Sequence, residues 1–148
     1  MYIFEELPFS QIEEIKKLWL ELNNIHYIDS VYFKKHFEEM TFEKRIKSLG
    51  NYSVNNFSIF VCKDKKDIVA YVIAGIIAET GEIESLITTK KYLGKGIGKK
   101  LVRMCIDWFK KENCKKIKVG VAHGHEDVIE FYFKQGFRPR MTFLELVE

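Results

Sequence analysis

With 148 residues, 47% of them apolar, the chain has the content for one globular domain with a sizeable core. No stretch approaches the ~18 uninterrupted apolar residues that a membrane-spanning helix requires. A net charge of only +3, with acids interleaved among the bases, argues against a nucleic-acid surface.

The first residues, Met1-Tyr2-Ile3-Phe4-Glu5-Glu6, carry acid early and lack the basic-then-apolar order of a signal peptide. Cys62, Cys105 and Cys114 are odd in number and show no CxxC spacing, so reduced thiols and a cytoplasmic location are expected. Met1 to Leu7 predicts a first strand. Ser10-Gln11-Ile12-Glu13 fits a capping box, and the helix that follows sets Ile12, Ile15, Leu18, Trp19 and Leu22 on one face. Asn23 and Asn24 are expected to end it. A second helical region runs from Val31 to Leu49, in two pieces around Thr41, and stops at Gly50.

Phe57 to Cys62 predicts a strand, Lys63 to Asp67 a turn, and Ile68 to Ala78 a longer, nearly all-apolar strand. Glu79-Thr80-Gly81 turns into a further strand over Ile83 to Thr88, giving an antiparallel meander. Strict alternation would place Glu82, Glu84 and Leu86 on one face and Ile83, Ser85 and Ile87 on the other. From Ile97 the period changes to that of an amphipathic helix, through Leu101, Cys105, Trp108 and Phe109, closed by Asn113. Lys116 to Ala122 is strand-like and Glu126 to Gln135 helical, with Gly136 at a left-handed C-cap. Arg140 to Val147 predicts a final strand. The expected fold is a single α/β domain over 1–148, a mixed sheet with helices on both faces, in the order β-α-α-β-β-β-α-β-α-β.

Between the third meander strand and the next helix lies Gly94-Lys95-Gly96-Ile97-Gly98. Glycines let the backbone approach an anion, first-turn N–H groups point at it, and the helix dipole adds roughly half a positive charge. Lys90, Lys91, Lys95, Lys99, Lys100 and Arg103 crowd around this turn. The spacing is wrong for a dinucleotide fingerprint, and Lys100 stands where a P-loop needs Ser or Thr.

The run Ile83 to Thr88, then Tyr92-Leu93-Gly94-Lys95-Gly96-Ile97-Gly98-Lys99-Lys100-Leu101, resembles the acetyl-CoA-binding motif of the GNAT family of N-acetyltransferases. Phe131-Tyr132-Phe133-Lys134-Gln135-Gly136-Phe137 is similar to that family's second signature. The resemblance implies acetyl-CoA as co-substrate and no metal. It implies coenzyme contacts from Leu86, Ile87, Thr88, Leu93, Gly94, Lys95, Gly96, Ile97, Gly98, Lys99 and His125. Tyr132 would be the general acid for the departing thiolate, and Glu84 the base, directly or through water. His26 and Tyr27, expected in the turn between the first helices, would line the pocket of a small amine acceptor. Similar proteins are commonly homodimers. Leu93 replaces the usual Arg or Gln, His125 the usual Asn and Val128 a frequent Ala, so a coenzyme-binding module without turnover stays open. So does a metallohydrolase built on His123, His125 and Asp127.

Overall fold

The computed structural model describes all 148 residues. Its five strands form one sheet in the order β1-β2-β3-β4-β5: Tyr2–Glu6, Phe57–Asp64, Asp67–Ile77, Thr80–Thr88 and Lys116–Val119. The first four pair antiparallel, β2 to β3 and β3 to β4 through short turns and β1 to β2 across the first three helices, and β5 lies parallel to β4. A parallel neighbour needs a crossover, supplied here by a helix over Ile97–Lys111. In chain order the helices are α1 (Lys16–Asp29), α2 (Lys34–Glu39), α3 (Phe42–Leu49), α4 (Ile97–Lys111) and α5 (Glu126–Lys134).

Two apolar layers sandwich the sheet. Ala70, Val72 and Ala74 of β3 pack with Ile97, Leu101, Cys105 and Phe109 of α4 and Tyr132 of α5. Tyr71 and Ile73, pointing the other way, pack with Leu18 and Trp19 of α1 and Phe42 and Leu49 of α3. Burial on both faces is why β3 reads as a continuous apolar run. Cys62, Cys105 and Cys114 are free thiols, the first two buried.

Several local expectations change. The capping box at Ser10 does not form. Pro8 instead opens a 3₁₀ turn over Phe9–Ile15 with no side-chain cap, and α1 starts only at Lys16. Asn23 and Asn24 do not stop α1, because Asn23 Nδ2 donates to Phe37 O (2.8 Å) and ties the continuing helix to α2. Thr41 does cap α3, its hydroxyl accepting from the Lys44 N–H at 3.1 Å. The β3–β4 turn is the two-residue Ala78-Glu79, both at positive φ, so β4 begins at Thr80 rather than Ile83. The final strand over Arg140–Val147 is absent. Residues 138–148 have no regular structure and make no backbone–backbone hydrogen bond, since no strand lies beside them.

Candidate active site

The glycine turn takes the conformation its composition demands. Gly94 and Gly96 sit at φ 77° and 80°, and Gly96 is the N-cap of α4 with no side chain closing it. The first bond into the helix runs from Lys100 N–H to Gly96 O (3.1 Å), so the N–H groups of Ile97, Gly98 and Lys99 face outward without a backbone acceptor. A Cβ on Gly94 or Gly96 would meet nothing within 4 Å. Within the protein itself, glycine is therefore needed here for backbone conformation and not to avoid a neighbouring atom. The side chain of Ile97 is buried in the core, leaving only its N–H for a ligand. Lys95 and Lys99 are exposed beside the turn, as is Leu93, while the Lys100 ammonium lies 4.5 Å from the Phe4 ring.

From this turn a groove opens along the sheet. The β4–β5 pairing ends at Ile83↔Val119. Beyond it β4 runs on to Thr88 with no β5 partner, so backbone groups from Leu86 to Thr88 border the gap. Thr88 Oγ1 would lie 3.7 Å from a Cβ on Gly98, which joins the groove to the N-terminus of α4. Ile87 faces the opposite core, so only its backbone is available.

The strands part at a β-bulge. Ile73 pairs with Ser85 and Ala74 with Ile83, leaving Glu84 as the extra residue. Both Glu84 and Ser85 consequently face the α1–α3 layer, while Leu86 packs toward α4, which overturns the strict alternation expected from the sequence. Arg45 of α3 holds the bulge: its Nη2 donates to Glu84 O (2.8 Å) and Oε1 (3.0 Å). The Tyr52 hydroxyl donates to Glu84 Oε2. Burial, then this carboxylate, raises the Tyr52 pKa well above its ordinary value. Glu84 thus has a donor on each oxygen. Neither Arg45 nor Tyr52 is visible from sequence, because both act on Glu84 from distant positions.

Past the bulge the groove widens into a cavity of about 320 Å³. Tyr132 of α5 lines it, its body buried and its ring 5.4 Å from that of Phe137. Burial, followed by the nearby Cys105, pushes the Tyr132 phenol above the ordinary tyrosine range and keeps it protonated. A local motif sets this ring. Phe137 N–H bonds to Tyr132 O and Gly136 N–H to Phe133 O, both at 3.0 Å, with Gly136 at φ 101°. That is a Schellman C-cap with its apolar contact, at the glycine where one is expected.

Across the cavity stands His26, on the last turn of α1 rather than in a loop. Its Nδ1 is buried without a hydrogen-bond partner. Burial, then the neighbouring His125, lowers its pKa from 6.5 to about 4, against the opposing pull of Asp29. The two imidazoles lie 5.0 Å apart, and His125 Nε2 is 3.3 Å from Asp29 Oδ2. His125 therefore turns toward α1. Tyr27, one residue and about 100° further round the helix, leaves the cavity and packs under the Lys34 ammonium. His123 is exposed, and no three His, Cys, Asp or Glu side chains converge into a metal-ligand set.

A family model described as the acetyltransferase (GNAT) family matches residues 14–137, which span the glycine turn, the splayed strands and Tyr132. The chain belongs to this family. Among solved structures, a Pyrococcus furiosus protein assigned as an acetyl transferase has 24% identity and a TM-score of 0.79, covering 99% of each chain. The PaiA N-acetyltransferase of Thermoplasma acidophilum, solved with coenzyme A, has 20% identity and a TM-score of 0.78 over 97% of this chain and 93% of its own. An aminoglycoside acetyltransferase from an uncultured soil sample, solved with trehalose, has 17% identity and a TM-score of 0.67 over 99% and 97%. No curated protein matches the chain.

As a GNAT acetyltransferase the chain departs from a motif reading in one respect. The first signature locates the turn and the second locates Tyr132. The α1 and α3 side chains, His26, Asp29 and Arg45, carry no motif. Their only sequence signal is polarity on helices that must pack on a sheet, which the capping and periodicity rules do not interpret.

Proposed function

We propose that this GNAT acetyltransferase moves the acetyl group of acetyl-CoA directly to a primary amine of a small molecule, within a ternary complex. The observation that carries this is the continuous path from the outward N–H groups of Ile97, Gly98 and Lys99, along the unpaired edge of β4, into the cavity between Tyr132 and His26. The residues fit the coenzyme. A pyrophosphate is held by those N–H groups with Gly94 and Gly96 allowing close approach and Lys95 and Lys99 as point charges. Leu93 supplies only its backbone. The backbone from Leu86 to Thr88 receives the pantetheine arm, and acetyl-CoA supplies the activated thioester carbonyl.

On the protein side, Tyr132 gives its proton to the departing sulfur, for which a phenol kept neutral by burial is suited. Both oxygens of Glu84 already accept hydrogen bonds, so the amine proton reaches this carboxylate through a water chain rather than by contact. The His26 imidazole, kept neutral by burial and by His125, lines the cavity that receives the amine. The His125–Asp29 pair, not the coenzyme, is then the setting of His125. We place the protein in the cytoplasm, in keeping with its free cysteines; no helix is long and apolar enough to cross a membrane.

Titration calorimetry with acetyl-CoA should show saturable binding, and a panel of amines should release CoA from it. Tyr132→Phe should keep coenzyme affinity and lower kcat by ~10²–10⁴-fold. Absence of binding up to millimolar acetyl-CoA would sink the reading. Binding without CoA release from any amine would favour the coenzyme-binding module that the exposed Leu93 allows.

A further inference from the structure

One wall of the cavity comes from the splayed strands and the other from α1 and α2. The helical wall is apolar and carries rings. Leu22, Phe37 and Met40 line it and are only half-buried, so apolar surface is left there to cover. The Phe37 and His26 rings lie 5.3 Å apart, and the His26 and His125 rings 5.0 Å apart. Three rings thus stand in a row, each pair within the separation at which aromatic groups pack. Two polar side chains of the lining are already engaged. Asn23 Nδ2 donates to Phe37 O (2.8 Å), and Ser85 Oγ pairs with the Tyr71 hydroxyl (2.9 Å).

Charge in the cavity is scarce and already paired. Glu84 is the one carboxylate of the lining, and Arg45 and Tyr52 hold its two oxygens. Arg45, the one permanent cation of the lining, stands 3.0 Å from that carboxylate. A first ammonium entering toward Glu84 can give up its proton there. A second ammonium would be buried near Arg45 with no carboxylate of its own, and an unpaired buried charge is costly. Size acts the same way. At about 320 Å³ the cavity lies at the low end of the roughly 300–1,000 Å³ of small-molecule sites, and the acetyl end of the thioester shares it.

We propose that the acceptor is a primary monoamine carried on a single aromatic ring, which packs along Phe37 and His26 while its nitrogen points toward Glu84. The proposal rests on the acetyl-transfer reading. In the reaction the nitrogen bonds to the acetyl carbonyl carbon and the C–S bond breaks. Of the two protons that the ammonium loses, one ends on the CoA sulfur and one in solvent. Phe37 is then a specificity-determining residue. Polyamines are refused by charge, and amino sugars of several rings by charge and size.

With acetyl-CoA, 2-phenylethylamine should release CoA with a kcat/KM at least about tenfold above those of ethylamine, spermidine and kanamycin. Phe37→Ala should raise the KM for 2-phenylethylamine and cut its advantage over ethylamine, with acetyl-CoA affinity retained. Met40→Glu, which adds a carboxylate to the same wall, should raise the kcat/KM of spermidine relative to that of 2-phenylethylamine. Equal or better turnover of ethylamine, spermidine or kanamycin by the unmodified chain overturns the proposal and leaves acetyl transfer standing. If no amine releases CoA, calorimetry of 2-phenylethylamine with the CoA-loaded protein separates the two readings. Binding there upholds the choice of ligand and sinks transfer; no binding sinks both.

Discussion

The imidazole of His26 gives up its proton near pH 4 because α1 carries it into a cavity wall, where burial and the adjacent His125 disfavour a charge. In the unfolded chain the same group titrates near 6.5. Between these values the unfolded chain binds a proton that the folded one does not, so folding weakens as pH falls through this window. The stabilising difference is fully present above pH 6.5 and is lost progressively down to pH 4. Denaturant midpoints measured at pH 7, 5.5 and 4.5 should decline, and His26→Gln should decline less steeply. Equal slopes in the two proteins would show that His26 is not the group responsible. Glu84 can be picked out from the sequence, but its setting cannot. Its position before the glycine turn marks it, yet the partners that occupy its oxygens, Arg45 and Tyr52, lie 39 and 32 residues away.

Helix ends and strand bulges decide where these side chains go. At the C-terminus of α5, Gly136 adopts a left-handed conformation that places Phe137 on Tyr132. An alanine there meets a left-handed penalty of about 1–2 kcal/mol, partly offset by a stiffer unfolded chain. Gly136→Ala should therefore lower stability by about 1 kcal/mol in a urea melt and also reduce kcat as Phe137 shifts. A stability loss with kcat intact would separate the cap from the chemistry. Two elements depart from their local sequence patterns for physical reasons. Alternation fails at β4 because an inserted residue is locally cheap and leaves no mark in composition. The helix stop fails at Asn23 because that side chain finds a partner on α2, an option that helix-ending statistics do not include.

For the whole molecule, the groove exists because β4 and β5 pair over only four residues and then part, with α4 below and α1 above. A ligand that fills the gap replaces the missing strand contacts, so it binds the folded state alone. Acetyl-CoA at about 100 times its dissociation constant should stabilise the fold by ~2.7 kcal/mol. This should appear as a rise in the thermal midpoint, with hydrogen-exchange protection gained at Leu86–Thr88 and at the start of α4. An unchanged midpoint would mean that the groove does not take the coenzyme.

By itself the sequence determined the glycine turn, the amphipathic α4 behind it, the meander and the C-cap at Gly136, because each is fixed by local backbone preference or by periodicity within one element. Only the tertiary structure decided that Glu84 is held by Arg45, that His26 rather than Tyr27 faces the cavity, and that His125 turns to Asp29. Those outcomes depend on how α1, α3 and the β5–α5 loop dock on a bulged strand. Contacts between residues tens of positions apart leave no periodic trace, so the glycine turn at one end of the groove could be read from the chain and the lining of the cavity at the other end could not.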